Sequence, residues 1–149
     1  MLSTVSEIQL SYKEVKLTSH AAVIKCSSDA AVLLYQSFDA KTIALQETFK
    51  VLLLNNANMV KGIYTHSTGG ITGTLVDIRI IFAVVLKSLS TSIILCHNHP
   101  SGNLKASTLD KELTGKIVKA ASYLDVKILD HIILNPDGNF LSFADEGFI

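Results

Sequence analysis

Residues 91–96 (TSIILC) form a short apolar run that leads straight into His97. A strand that is apolar at consecutive rather than alternating positions is covered on both faces, so this run reads as an inner strand of a sheet carrying helices. The flanking pattern agrees. Asp77 can cap a helix over residues 78–89, whose residues are apolar almost all round and predict a central, buried helix. Ser107 opens a second helix to about Leu124, with Leu109, Leu113, Ile117, Ala121 and Leu124 on one stripe. Upstream, Ser27-Ser28-Asp29 offers cap chemistry for a helix over residues 30–38. Strands are expected over residues 47–54, 59–64, 126–134 and 140–143, the last two joined by the Asn135-Pro136-Asp137-Gly138 turn. The glycine-punctuated residues 65–73 read as a loop or bulge, and residues 1–19 as an arm or edge strand. This mixed order predicts an α/β (α+β mixed sheet) domain with helices packed on the sheet. No boundary divides it beyond an N-terminal arm over residues 1–28.

A chain of 149 residues with 48% hydrophobic and 17% charged residues can bury a real core and is not disordered. Its zero formal net charge argues against direct nucleic-acid binding, although a local basic patch stays compatible with it. No apolar run is long enough to span a membrane. No basic segment followed by an apolar one marks a signal peptide, so cytoplasm is the expected location. Cys26 and Cys96 form no CxxC pair, and two thiols in a chain of this size fit a reducing compartment.

The chemistry lies in His97-Asn98-His99-Pro100-Ser101-Gly102, followed by Ser107 and Asp110. Side chains at i and i+2 share a face of a strand, so His97 and His99 can converge on one point. Pro100, Ser101 and Gly102 then turn the chain, and the first turn of the next helix can return Asp110 to that point. Two imidazoles and a carboxylate are a catalytic zinc set, with the fourth position left for water. Such an ion brings the pKa of its water to about 7, and a general base is still needed. Between Thr42 and His97 the acidic residues are Glu47 and Asp77, and Glu47 begins a core strand that could place it beside the ion.

Alone, Ser107-x-x-Asp110 is also a capping box. The two upstream histidines favour a ligand role for Asp110, and Ser107 can cap the helix while facing the site. His131 is expected to support the site or the fold, since three ligand places are filled. His20 and His66 sit in polar segments and are expected in solvent. Cys96 and Asn98 alternate away from the two histidines and read as structural. An HNH nuclease uses widely separated residues, the PCxxC element of a zinc deaminase is missing, and HExxH, a P-loop and GxGxxG are all absent.

The spacing His97-x-His99, seven residues, Ser107, two residues, Asp110 resembles the JAMM motif of JAB/MPN domains. The wording HNHPSGN, the LDHIIL run over residues 129–134 and the ending LSFADEGFI are similar to the RadC branch of that fold. The resemblance covers residues 29–149. It implies a cytidine-deaminase-like three-layer arrangement, with a mixed sheet flanked by helices. It implies Zn²⁺ held by His97, His99 and Asp110. Glu47 would move a proton from the metal's water to the leaving amine, and Ser107 would steady the oxyanion. The implied activity is that of a zinc metallopeptidase acting on a peptide or protein substrate. A non-catalytic MPN-like interaction module and a DNA-associated RadC-like protein are the alternatives. The helix-hairpin-helix-like region of longer RadC proteins and the insertions that position a ubiquitin-like tail are not seen. The glycine-rich residues 65–73 also differ from the wording of long RadC proteins.

Overall fold

The computed structural model describes residues 5–7, 9, 21–71 and 73–149. Of the expected N-terminal arm over residues 1–28, residues 1–4, 8 and 10–20, His20 among them, lie outside the described residues, and Ser27 and Ser28 belong to the first helix. Three helices and five strands follow in the order α1 (Ser27–Gln36), β1 (Thr48–Leu54), β2 (Val60–Thr68), α2 (Ile78–Lys87), β3 (Ser92–Asn98), α3 (Thr108–Ser122), β4 (Lys127–Leu134) and β5 (Phe140–Ser142). The strands make one mixed sheet, ordered β2-β1-β3-β4-β5. β3 is its middle strand, antiparallel to β1 and parallel to β4, and every one of its residues is buried. The apolar run of residues 91–96 thus occupies the position its composition requires.

Strand alternation sorts the core into two layers. Phe49, Val51, Leu53, Ile93 and Leu95 face one side, where Ile81, Phe82 and Val85 of α2 and Ile117 and Ala121 of α3 cover them. Leu52, Leu54, Ile94, Cys96, Ile132 and Leu134 face the other, against Ala30, Ala31 and Leu34 of α1. The result is the expected three-layer arrangement of helix, sheet and helices.

Four local expectations need correction. α2 is buried on one side only: Ile80 and Leu86 are each 47% exposed, because a single sheet face can cover only one side of the helix. On α3, Thr114, Ile117 and Ala121 are buried, whereas Leu109 is 75% exposed and Leu124 is also exposed. Residues 65–68 belong to β2, because Thr65, Ser67 and Thr68 pair with Lys50, Phe49 and Thr48 despite their polar composition. At α1 the cap position is Cys26, and Asp29 reaches back from the first turn to accept from the Lys25 amide at 2.9 Å.

Candidate metal centre

β3 ends at the site. The parity that buries Ile93 and Leu95 under α2 and α3 also sends His97 to that side, where its ring stacks on Phe49 of β1 (centroids 6.1 Å apart, planes 10° apart). His99 follows just past the strand end. Its backbone N–H donates to Leu134 O at 2.8 Å, which extends the pairing with β4 by one residue. The Gly102 N–H donates back to His99 O at 3.0 Å, closing a turn in which Gly102 has φ +85°, a conformation that favours glycine. The turn lets the chain double back, so that α3 starts beside the two imidazoles.

At that start Ser107 and Asp110 form a reciprocal capping box. The Asp110 N–H donates to Ser107 Oγ at 3.0 Å, and the Ser107 N–H donates to Asp110 Oδ2 at 2.9 Å. The cap does not turn Asp110 away from the histidines. Its Oδ1 lies 3.3 Å from His97 Nε2, and its Oδ2 lies 3.7 Å from His99 Nε2. The two Nε2 atoms are 3.0 Å apart. Four ligands at zinc's usual bond lengths of about 2.0–2.1 Å in a tetrahedron are about 3.3 Å from each other. The three separations lie around that value, so these residues form a group that could hold a metal ion.

Charge and protons fit the same reading. The His99 Nδ1–H donates to Asn103 O at 2.6 Å, which leaves Nε2 as the nitrogen facing the site. The Asp110 side chain raises the His99 pKa above its ordinary value, against the opposing effect of burial. Burial pushes the Asp110 carboxyl up, but the two imidazoles of His97 and His99 beside it outweigh that and hold the group far below the usual carboxylate range. Asp110 is thus an anion facing two nitrogen donors, which is what a divalent cation needs.

The group opens on a groove of about 610 Å³, with Glu47, Phe49, Val76, Leu109 and Leu113 among its walls. Glu47 is half-buried and close enough to His99 for its charge to raise the imidazole pKa. Its backbone is gripped from both sides. Glu47 N–H donates to Gly70 O at 3.1 Å, and Gly69 N–H donates to Glu47 O at 2.7 Å. On the other side Asn98, fully buried, accepts from Thr48 N–H at 2.7 Å and donates to Gln46 O at 3.0 Å and Ile43 O at 2.7 Å. The expected structural role of Asn98 is therefore specific: it clamps the residues on either side of Glu47. Ser107 also lines the groove.

The remaining candidates fall elsewhere. His66 is not solvated as expected. Its Nε2 accepts from Asp77 N–H at 2.9 Å, its ring edge meets Phe49, and burial lowers its pKa. Cys96 packs in the core layer under α1, where burial pushes its thiol up, and Cys26 and Cys96 are both free thiols. His131 is fully buried, with its Nε2 2.8 Å from His97 Nδ1 and its Nδ1 2.6 Å from Thr114 Oγ1. Thr114 was not a candidate in the sequence. The signal was its position four residues after Asp110, which puts both on one helix face.

Sheet order, helix placement and this His-His-Asp group define a JAB/MPN-like domain. The RadC-like JAB domain family matches residues 24–148, and the chain belongs to that family. Relatives include a UPF0758 protein of Flavobacterium johnsoniae, 52% identical over 101 residues, or 68% of this chain and 44% of the relative. A UPF0758 protein of Porphyromonas gingivalis is 41% identical over 104 residues (70% and 46%). One of Clostridium kluyveri is 39% identical over 125 residues (83% and 53%). The chain thus spans about half the length of these relatives. Among the described residues no helix is long and apolar enough to cross a membrane.

Proposed function

We propose that this domain is a zinc-dependent hydrolase of the JAMM type that cleaves peptide or isopeptide bonds. The observation that carries this reading is the convergence of His97 Nε2, His99 Nε2 and the Asp110 carboxylate at the floor of a groove that Glu47 also lines. The donor set, two neutral nitrogens and one carboxylate, is that of a catalytic rather than a closed structural zinc site. Zinc there supplies Lewis acidity, polarising a carbonyl and making water acidic enough to attack near neutral pH.

The chain's own residues do the rest. Glu47, held by Asn98 and the Gly69–Gly70 backbone, accepts the proton of the attacking water and returns it to the departing amine. The amide C–N bond breaks, and the products are an acid and an amine. Ser107 keeps its hydroxyl proton while its oxygen caps α3, so that proton is free to donate to a developing oxyanion. Phe49, Val76, Leu109 and Leu113 give the groove apolar walls that suit the side chains of an extended peptide.

Metal analysis with hydrolysis of a mixed panel of peptides and isopeptide-linked peptides tests the proposal. About one zinc per chain is expected, lost in His97→Ala. Glu47→Gln should keep the metal and abolish cleavage. Cleavage at an unchanged rate in Glu47→Gln removes Glu47 from the mechanism. Wild-type protein that binds no zinc removes the enzyme reading altogether.

A further inference from the structure

Behind His97, away from the groove, a hydrogen-bonded chain runs from His97 through His131 to Thr114 and ends on the carbonyl of Asp110. Its links are 2.8 Å (His97 Nδ1 to His131 Nε2), 2.6 Å (His131 Nδ1 to Thr114 Oγ1) and 2.6 Å (Thr114 Oγ1 to Asp110 O). The chain thus begins on one expected ligand and ends on the backbone of another. We propose that His131 and Thr114 are positioning residues that fix His97 in the tautomer protonated at Nδ1, so that its Nε2 lone pair is presented to the metal.

Proton counting gives this direction. The Thr114 hydroxyl has one proton and two close neighbours. The Asp110 carbonyl can only accept, so the hydroxyl proton goes there. Thr114 Oγ1 must then accept from His131, which places a proton on His131 Nδ1. His131 is fully buried with its ring against Phe49 and Phe143, where a second proton would place an unpaired charge in the core, so it keeps that single proton. Its Nε2 is therefore an acceptor, and the only proton that can fill the 2.8 Å contact is on His97 Nδ1. The opposite direction sets the Thr114 and Asp110 oxygens against each other at 2.6 Å with no proton between them. It also puts a proton on His97 Nε2, where a metal would bind.

A register slip in the sheet makes the chain possible. Ile93 pairs with Ile128 but Ile94 pairs with Asp130, so Leu129 is an extra residue on β4. Beyond the slip, His131 pairs with Leu95 and shares the face of His97. Without it, His131 would sit opposite Cys96 and point into the core layer under α1. Bulges re-aim side chains in this way beside functional sites.

The proposal rests on the metal-site reading for its consequence but not for its first test. In protein stripped by chelator, long-range ¹H–¹⁵N spectra of the histidine rings should show His97 protonated at Nδ1 and bare at Nε2. Zinc competition against a chelator should then show Thr114→Val and His131→Leu binding on the order of 10–100-fold more weakly than wild type. Thr114→Ser keeps the hydroxyl and His131→Gln keeps an acceptor for His97, so both should bind like wild type. Wild-type His97 protonated at Nε2 overturns the proposal even if every variant fails to fold. So does a folded Thr114→Val with unchanged zinc affinity. If wild type binds no zinc, the metal site fails, and the ring spectra still decide the tautomer.

Discussion

Asn98 stands between two histidines in sequence and faces the opposite side of the sheet. Its amide makes three hydrogen bonds to backbone around Glu47. Leaving a buried polar group unsatisfied costs about 1–3 kcal/mol. Asn98→Ala should therefore lower unfolding stability by about 2 kcal/mol or more, measured by urea titration. Zinc affinity should change little, because His97 and His99 stay on their strand. The rate of hydrolysis should fall steeply, because residues 46–48 lose their anchor. Unchanged stability in Asn98→Ala would show that the clamp carries no weight. Three consecutive residues thus divide the work: the outer two face the proposed metal, and the middle one holds the segment that carries the proposed base.

At the scale of single elements, α3 has two tasks at its first turn. Ser107 caps the helix and lines the groove, and the two roles can be separated. A Ser→Ala change at such a cap costs about 1 kcal/mol, whereas Ser→Gly costs a few tenths. Both remove the hydroxyl. If that hydroxyl steadies an oxyanion, Ser107→Gly and Ser107→Ala should lose hydrolysis to the same degree while differing in thermal stability. Activity that follows stability instead would reduce Ser107 to a cap. The elements also mark how far the sequence could be read. β3 was readable because an unbroken apolar run has few places to go in a fold. The His97, His99 and Asp110 cluster was readable because strand alternation and a helix start limit where those side chains point. α2 misled, since its composition is apolar all round while the sheet covers one side of it. The extension of β2 through residues 65–68 was hidden because polar residues there are held by backbone pairing with β1. His131 could not be aimed from sequence at all: its direction depends on one unpaired residue, Leu129, in a strand that otherwise alternates regularly.

Across the whole molecule, the proposed ion would join parts that the core leaves separate at the open end of the sheet. His97 belongs to the middle strand, His99 to the turn beyond it, and Asp110 to a helix that packs on one face. The hydrophobic layers hold α3 through Ile117 and Ala121, well along the helix from the capped turn at Ser107. A ligand that binds only the folded state stabilises it by an amount set by its concentration over its dissociation constant, about 4 kcal/mol at a thousandfold excess. For a chain of this size that corresponds to a rise in melting temperature of roughly 10 °C. Thermal melts of chelator-stripped protein with and without added zinc should show this rise in wild type and in Glu47→Gln. They should show none in His97→Ala or Asp110→Asn, each of which removes a ligand. A rise of equal size in the ligand variants would place the zinc elsewhere on the chain. The size of the shift in Thr114→Val then joins the two proposals, because a weaker site must give a smaller rise at the same zinc concentration.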